Sequence, residues 1–277
     1  MKEKYYFELG DFRFMIQMPK DFFIPSNFKL FEQKEGFLSD YNYYIELAES
    51  FPKIDLEPTY ANSELSIYKR NDLEIRNLSY AFYEEKSANE AVIYCNSEFS
   101  ELYKLDTVFT SLFALERRML QHQGLVLHCS YLTMNNEAIL FSGPSGIGKS
   151  TQAGLWQRYK EALIHNGDRA LLQKNNERWN VNGWPVCGSS DICEAINSPL
   201  RAIVMLSQSE TNQVKKLSPM EAFSNLYGQI TVNRWDSQAV LQSTDLISEL
   251  VAHIPVYHFS CNISEEAVHT LYQELFI

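Results

Sequence analysis

The chain is poor in the features that mark several protein classes. Its five cysteines, Cys95, Cys129, Cys187, Cys193 and Cys261, form no C-x-x-C pair and leave an odd one, so their spacing suggests neither a disulfide framework nor a zinc site. No apolar stretch approaches the ~18 residues of a membrane span. The start, Met1-Lys2-Glu3-Lys4 followed by Tyr5-Tyr6-Phe7-Glu8, lacks the apolar core of a signal peptide. Positive charge is scarce: 24 Lys and Arg stand against 35 Asp and Glu, and no basic run offsets the net −11 locally. That balance opposes nucleic acid and acidic membranes as partners. Internal repeats and low-complexity segments are also missing. These absences predict a protein of a reducing cytosol.

What is present is core-forming material. With 45% hydrophobic and 13% aromatic residues over 277 positions, the chain can fill one large domain or two small ones. One run carries chemistry: Gly143-Pro144-Ser145-Gly146-Ile147-Gly148-Lys149-Ser150-Thr151 fits the G-x-x-x-x-G-K-[ST] pattern of a P-loop. Glycines let the backbone wrap close to phosphate oxygens, so that N–H groups and a helix N-terminus converge on one anion. Lys149 is then expected to reach the β- and γ-phosphates, and Ser150 to offer its hydroxyl to Mg²⁺. The flanks agree. Upstream, Glu137–Ser142 is an apolar run suited to a buried parallel strand, and downstream Ala153, Leu155, Trp156 and Tyr159 give a helix an apolar face.

The pattern predicts an α+β or α/β fold in two parts, a β-rich unit over residues 1–104 and a P-loop nucleotide-binding domain over 105–277. In the first part, strands are expected at Tyr5–Leu9, Phe12–Met18, Tyr43–Leu47, Leu65–Tyr68, Leu73–Arg76, Tyr80–Tyr83 and Ala91–Tyr94, forming an antiparallel sheet with tight turns such as Arg70-Asn71-Asp72. One helix is expected over Leu105–Gln123, where Val108, Leu112, Leu115 and Met119 follow helical spacing and Gly124 ends it. Leu125–Thr133 and Glu137–Ser142, joined by Met134-Asn135-Asn136, read as a hairpin feeding the loop. Glu161–Asp168 holds a brief strand ending in an acid, and Ala170–Gln173 and Arg178–Val181 flank a turn at Asn175-Asn176-Glu177. A strand is expected at Ala202–Leu206, and Ser218-Pro219-Met220-Glu221 is a capping box opening a helix to about Gly228. Helices at about Gln238–Ile254 and Glu265–Phe276, with a strand at Val256–Phe259 between them, complete the domain.

Phosphoryl transfer needs a divalent metal, a carboxylate to hold it and groups that position the acceptor. Asp168 is the metal candidate, since one helix and a return strand after Lys149 bring it to a strand end, where ligands gather in α/β sheets. His128, in the apolar strand Leu125–Ser130, reads either as a core histidine or as a site residue. His165 and Asn166 face either the site or solvent; spacing does not choose. The loop Cys187–Ser198 reads as a solvated connection or as a lid or acceptor site. Lys215, Lys216, Arg169 and Arg201 read as solvated cations or as phosphate contacts.

Leu127-His128, the loop from Ser142 to Ser150 and the acid at the next strand end together resemble the HPr kinase/phosphorylase family of the phosphoenolpyruvate-carboxykinase superfamily, over residues 125 to about 172. The resemblance implies that His128 lies near the transferred phosphate and that Lys149, Ser150 and Asp168 serve nucleotide and metal. Gly167 stands where that family has the first acid of an Asp-Asp pair, a proton acceptor, and the family's downstream glycine-rich signature is replaced by Gly183–Asp191. This chain is similar in that respect to a branch of kinase-like proteins linked with peptide-modification clusters, in which Gly-Asp replaces Asp-Asp. The expectation is an ATP-dependent, Mg²⁺-requiring kinase, with GTP as the other candidate nucleotide, acting on a hydroxyl of a peptide, protein or small molecule. The alternative is a nucleotide-binding switch or assembly protein without transfer activity. The resemblance also implies a homo-oligomer.

Overall fold

The computed structural model describes residues 1–34, 38–175 and 178–277 and divides into two units, Met1–Leu115 and Glu116–Ile277. The division lies at Leu115, within the helical stretch that the sequence assigns wholly to the second part.

In the first unit the alternation of apolar and polar residues produces strands with one buried edge of side chains, as in β2 and β4 below. The elements are β1 (Lys2–Leu9), β2 (Phe12–Pro19), α1 (Ser26–Lys29), β3 (Glu32–Gln33), β4 (Tyr41–Leu47), β5 (Tyr60–Ala61), β6 (Leu65–Arg70), β7 (Leu73–Leu78), β8 (Ala81–Ser87), β9 (Glu90–Cys95) and α2 (Asp106–Ser111). All seven strands expected from the sequence form. The sheet order is β3-β1-β2-β4-β9-β8-β7-β6-β5. It is mixed rather than antiparallel, because β4 runs parallel to both β2 and β9. At the β6–β7 turn, Asn71 and Asp72 both take positive φ, 50° and 66°, the backbone that a two-residue hairpin of the sheet's twist requires. Phe14, Phe28, Tyr43, Phe109 and Phe113 meet edge-on or tilted in the core.

The helix expected over Leu105–Gln123 is instead two, α2 and α3 (Leu115–Gln121). Ala114 sits between them at φ 51°, in the left-handed region that ends a helix. The break is stabilised from outside the segment: the Tyr43 hydroxyl donates to the Phe113 carbonyl at 2.9 Å. Local sequence gives no sign of this, since alanine is the strongest helix former.

The second unit continues with β10 (Gly124–Met134), β11 (Glu137–Ser142), α4 (Lys149–Lys160), β12 (Leu163–Asn166), β13 (Arg169–Asn175), β14 (Arg178–Asn182), β15 (Asn197–Gln208), β16 (Gln213–Lys216), α5 (Pro219–Tyr227), α6 (Ser237–His253), β17 (Val256–Cys261) and α7 (Glu265–Phe276). Asn135 and Asn136, at φ 53° and 63°, make the tight β10–β11 hairpin. β13 and β14 pair antiparallel as expected, and Asn176 and Glu177 of their turn lie outside the described residues. The capping box at Ser218 forms, with Ser218 and Glu221 bonded reciprocally. β16 is a strand that the sequence reading lacked.

β11, β15 and β17 run parallel and are covered on both faces, which is why they read as near-continuous apolar runs. Leu140, Ile203 and Val256 turn toward α5 and α6, packing with Leu226 and Leu250. Phe141, Val204 and Phe259 turn the other way, toward Trp156 of α4 and Leu271 of α7. The long strands β10 and β15 each change partners along their length, so that the pairing runs β10-β13-β14-β15-β11 and returns to β10.

Candidate functional site

The glycine-rich turn follows the carboxyl end of β11 and leads directly into α4. Gly146 and Gly148 take φ of 79° and 111°, and a Cβ at either would meet nothing within 4 Å. The requirement for glycine there is conformational, and the turn faces open space. Gly148 caps α4 without any side-chain hydrogen bond, leaving the first-turn amides to whatever enters.

Lys149 begins the helix and folds back over the turn. The residue is only 7% exposed, yet Nζ is bonded to carbonyls, those of Gly143 at 3.0 Å and Pro144 at 3.3 Å. Burial holds its pKa below the ordinary lysine value, while Asp168 and Cys129 pull the other way. A buried ammonium bonded only to neutral carbonyls has charge to spare for an anion.

β10 brings His128 to this turn, because Cys129 pairs with Ser142, the last residue of β11. The Ser142 hydroxyl donates to the His128 carbonyl at 2.8 Å and fixes the backbone there. Asp168 arrives from the other edge of β10. The expected strand at Glu161–Asp168 ends at Asn166, so Asp168 lies beyond it, in the break between β12 and β13, and it reaches the turn across β10 rather than beside β11. Both β11 and β12 are antiparallel to β10, so their carboxyl ends share one side of the sheet. His128 Nε2 stands 3.4 Å from Asp168 Oδ1, and Arg169 Nε 3.2 Å from Oδ2. The His128 hydrogen bond, with Arg169 and Lys149, holds the Asp168 carboxyl below its ordinary pKa against the opposing effect of burial.

The break is shaped by Asn166, which is fully buried. Its Oδ1 accepts from the Asp168 and Arg169 amides, both at 2.9 Å, and its Nδ2 donates to the Trp184 and Val186 carbonyls. Asn166 therefore faces neither site nor solvent; it holds the segment that carries Asp168 to the segment that approaches Cys187. The Ser130 hydroxyl adds a bond to the Gly167 carbonyl at 3.2 Å.

One cavity of about 290 Å³ joins these parts. His128, Lys149, Ser150 and Asp168 all line it, with Ser145, Gly146 and Gly148 of the turn, Thr151 of α4, and Ser189 and Ser190. Of the expected loop residues, Gly143, Pro144 and Ile147 support the turn from behind: Ile147 donates its amide to the Pro144 carbonyl, and Ile147 packs on the apolar cluster of α4. The serines of the Cys187–Asp191 segment were visible in the sequence only as part of a polar loop. Gln208, whose Nε2 donates to the Gly146 and Ile147 carbonyls at 3.4 and 3.5 Å, gave no signal there at all.

Other sequence candidates lie outside the cavity. His165 is buried between Thr133 Oγ1 at 2.7 Å and Glu194 Oε2 at 2.6 Å. Arg201 is tied to Glu137 and the Leu275 carbonyl, and Lys215 to Glu221 at 2.7 Å. Lys216 is an exposed residue of the β16 strand.

A family model described as SynChlorMet cassette protein ScmC matches residues 94–268, most of the chain and all of the site just described. The chain belongs to the ScmC family. The comparison with curated proteins returns no match. Among solved structures, this ScmC-family chain has a weak similarity to the Hpr(Ser) kinase/phosphatase from Coxiella burnetii, with a TM-score of 0.34 and 12% identity over 54% of this chain and 94% of that one. Among the described residues no helix is long and apolar enough to cross a membrane, and no group of three or more His, Cys, Asp or Glu is arranged to hold a metal ion unaided.

Proposed function

We propose that the chain is an ATP-dependent, Mg²⁺-requiring phosphotransferase that acts on a hydroxyl of a peptide, protein or small molecule. The observation that carries the reading is the convergence of Lys149, Ser150, His128 and Asp168 on one cavity beside a turn whose glycines face open space. A triphosphate and its metal fit these residues, because the buried Lys149 ammonium and uncapped helix amides are donors without an anion, and Asp168 with Ser150 offers hard oxygen ligands. When bound, Mg²⁺ would supply charge neutralisation on the phosphate oxygens.

In this reading Lys149 and the amides of the turn hold the β- and γ-phosphates. Ser150 and Asp168 hold the metal. His128 lies against Asp168, where it orients the carboxylate or takes the acceptor proton; this contact allows either role. Most catalysis of phosphoryl transfer is positioning and charge stabilisation, so the absence of an acid at Gly167 removes one contribution, ~10²–10⁴-fold for general-base catalysis, and leaves the others.

A second reading, a nucleotide-binding switch without transfer activity, is favoured by one observation: Gly167 has no carboxylate, and a Cβ there would lie 2.3 Å from the Ser190 Cβ and Oγ. An acid cannot be restored at 167 unless Ser190 moves. Calorimetric titration with ATP and with GTP, each with and without Mg²⁺, on wild type and Asp168→Ala tests the shared premise. Magnesium-dependent binding weakened by the substitution is the expected result, and no binding of either nucleotide overturns both readings. Transfer to an added hydroxyl acceptor then separates kinase from switch.

A further inference from the structure

We propose that Ser190 is a hydroxyl acceptor built into the chain, phosphorylated at the protein's own site. The inference rests on the phosphotransferase reading above. Ser190 lines the same cavity as Lys149, Ser150 and Asp168, next to Gly167. Two close approaches seat its segment. Gly167 has no side chain, and the Ser190 Cβ and Oγ occupy the space where one would start, 2.3 Å from an ideal Cβ position. Gly188, at φ 61°, lies so close to Asp168 that a Cβ there would come within 3.1 Å of the carboxyl carbon. The serine beside it, Ser189, is exposed, whereas Ser190 is half-buried and held: its hydroxyl donates to the Cys187 carbonyl at 2.7 Å and accepts from the Ile192 amide at 3.3 Å.

A hydroxyl fixed in a phosphate-binding cavity competes with any free acceptor through its effective concentration, which reaches ~10⁵ M or more in well-oriented intramolecular reactions. In the transfer, Ser190 Oγ forms a bond to the γ-phosphorus of the nucleoside triphosphate. The bond from that phosphorus to the β,γ-bridging oxygen breaks, its electron pair leaves on the nucleoside diphosphate, and the hydroxyl proton is released to solvent water. The product is a phosphoserine beside Lys149, which a cation can hold in place.

The full chain, incubated with Mg²⁺ and ATP, is read by intact mass and by fragmentation, with nucleotide binding measured in parallel by calorimetry. We expect one phosphoryl group, on Ser190, added at a rate independent of protein concentration and lost in Ser190→Ala, which keeps the Cβ packed on Gly167. Intact nucleotide binding without phosphate, phosphate on another residue, or a rate that grows with protein concentration overturns the assignment and leaves the phosphotransferase reading standing. Failure to bind nucleotide overturns that reading instead, and this one with it. The seating is tested without nucleotide: Gly167→Ala should lower the melting temperature, and adding Ser190→Gly should restore it. No restoration would show that Ser190 does not occupy that space.

Discussion

His128 Nε2 and Asp168 Oδ1 lie 3.4 Å apart across the register of β10 and β13, in which His128 pairs with Arg169. The contact joins a strand residue to a residue in a strand break, so it depends on the whole β10–β12–β13 arrangement. It also favours the charged form of the carboxylate, and a pH dependence follows.

The Asp168 carboxyl is held below its ordinary pKa, chiefly by the His128 hydrogen bond. A group with a depressed folded pKa contributes stability that is fully present above its unfolded value, ~3.9, and is lost as pH falls through the lower folded value. Wild type should therefore exceed Asp168→Asn in urea-unfolding midpoint by a constant margin near neutral pH, and the margin should shrink below about pH 4. A margin that stays constant in acid would show that the carboxylate is not stabilised in the fold.

Lys149 behaves in the opposite sense. Burial lowers its pKa, so the unfolded chain holds the proton more tightly and the charged side chain costs stability in the ligand-free fold at neutral pH. Lys149→Met should leave the ligand-free melting temperature unchanged or raise it. The same substitution should weaken ATP binding by roughly 10- to 150-fold, the equivalent of one charge-assisted hydrogen bond of about 1.5–3 kcal/mol. Unchanged ATP affinity would remove the lysine from the site.

Gly183 and Gly167 are both tight, but against different neighbours. A Cβ at Gly183 would lie 2.1 Å from the Glu194 carbonyl oxygen, which is backbone, whereas at Gly167 the obstacle is a serine side chain. Overpacking typically costs about 1–3 kcal/mol, more where nothing can turn aside. Denaturant unfolding should show Gly183→Ala as the more destabilising of the two, with no rescue by Ser190→Gly.

Glu161 ends α4 at φ 55°, a left-handed helix terminus on an exposed residue. Glycine relieves the Cβ penalty there, partly offset by the greater freedom of the unfolded chain. Glu161→Gly should stabilise the protein by about 0.5–1 kcal/mol in calorimetric melting. A loss would mean that the Glu161 side chain makes a contribution its geometry does not reveal.

Much of the fold was legible from local pattern. Alternating or apolar runs marked β2, β4 and β9, the paired asparagines marked the β10–β11 turn, and Ser218-Pro219-Met220-Glu221 announced α5. The interruption at Ala114 was not legible, since the partner for the freed carbonyl comes from Tyr43. β16 was missed because Gln213–Lys216 is largely polar and forms only as the antiparallel neighbour of β17. At the site, the glycine-rich turn could be read residue by residue, whereas local pattern left His128 open between core and site, its site role coming from the family resemblance, and left His165 open between site and solvent; the strands place His128 in the cavity and His165 against Thr133 and Glu194.

The sequence by itself determined the glycine-rich turn, the helix behind it and the types of side chain available nearby, because backbone freedom at glycine and helical periodicity act over a few neighbouring residues. Only the tertiary structure decided that His128 meets Asp168, that Asn166 supports the strand break rather than the chemistry, and that Ser190 fills the space Gly167 leaves. Those relationships arise from strand register and from loops returning across the sheet, where residues distant along the chain exclude one another from the same volume.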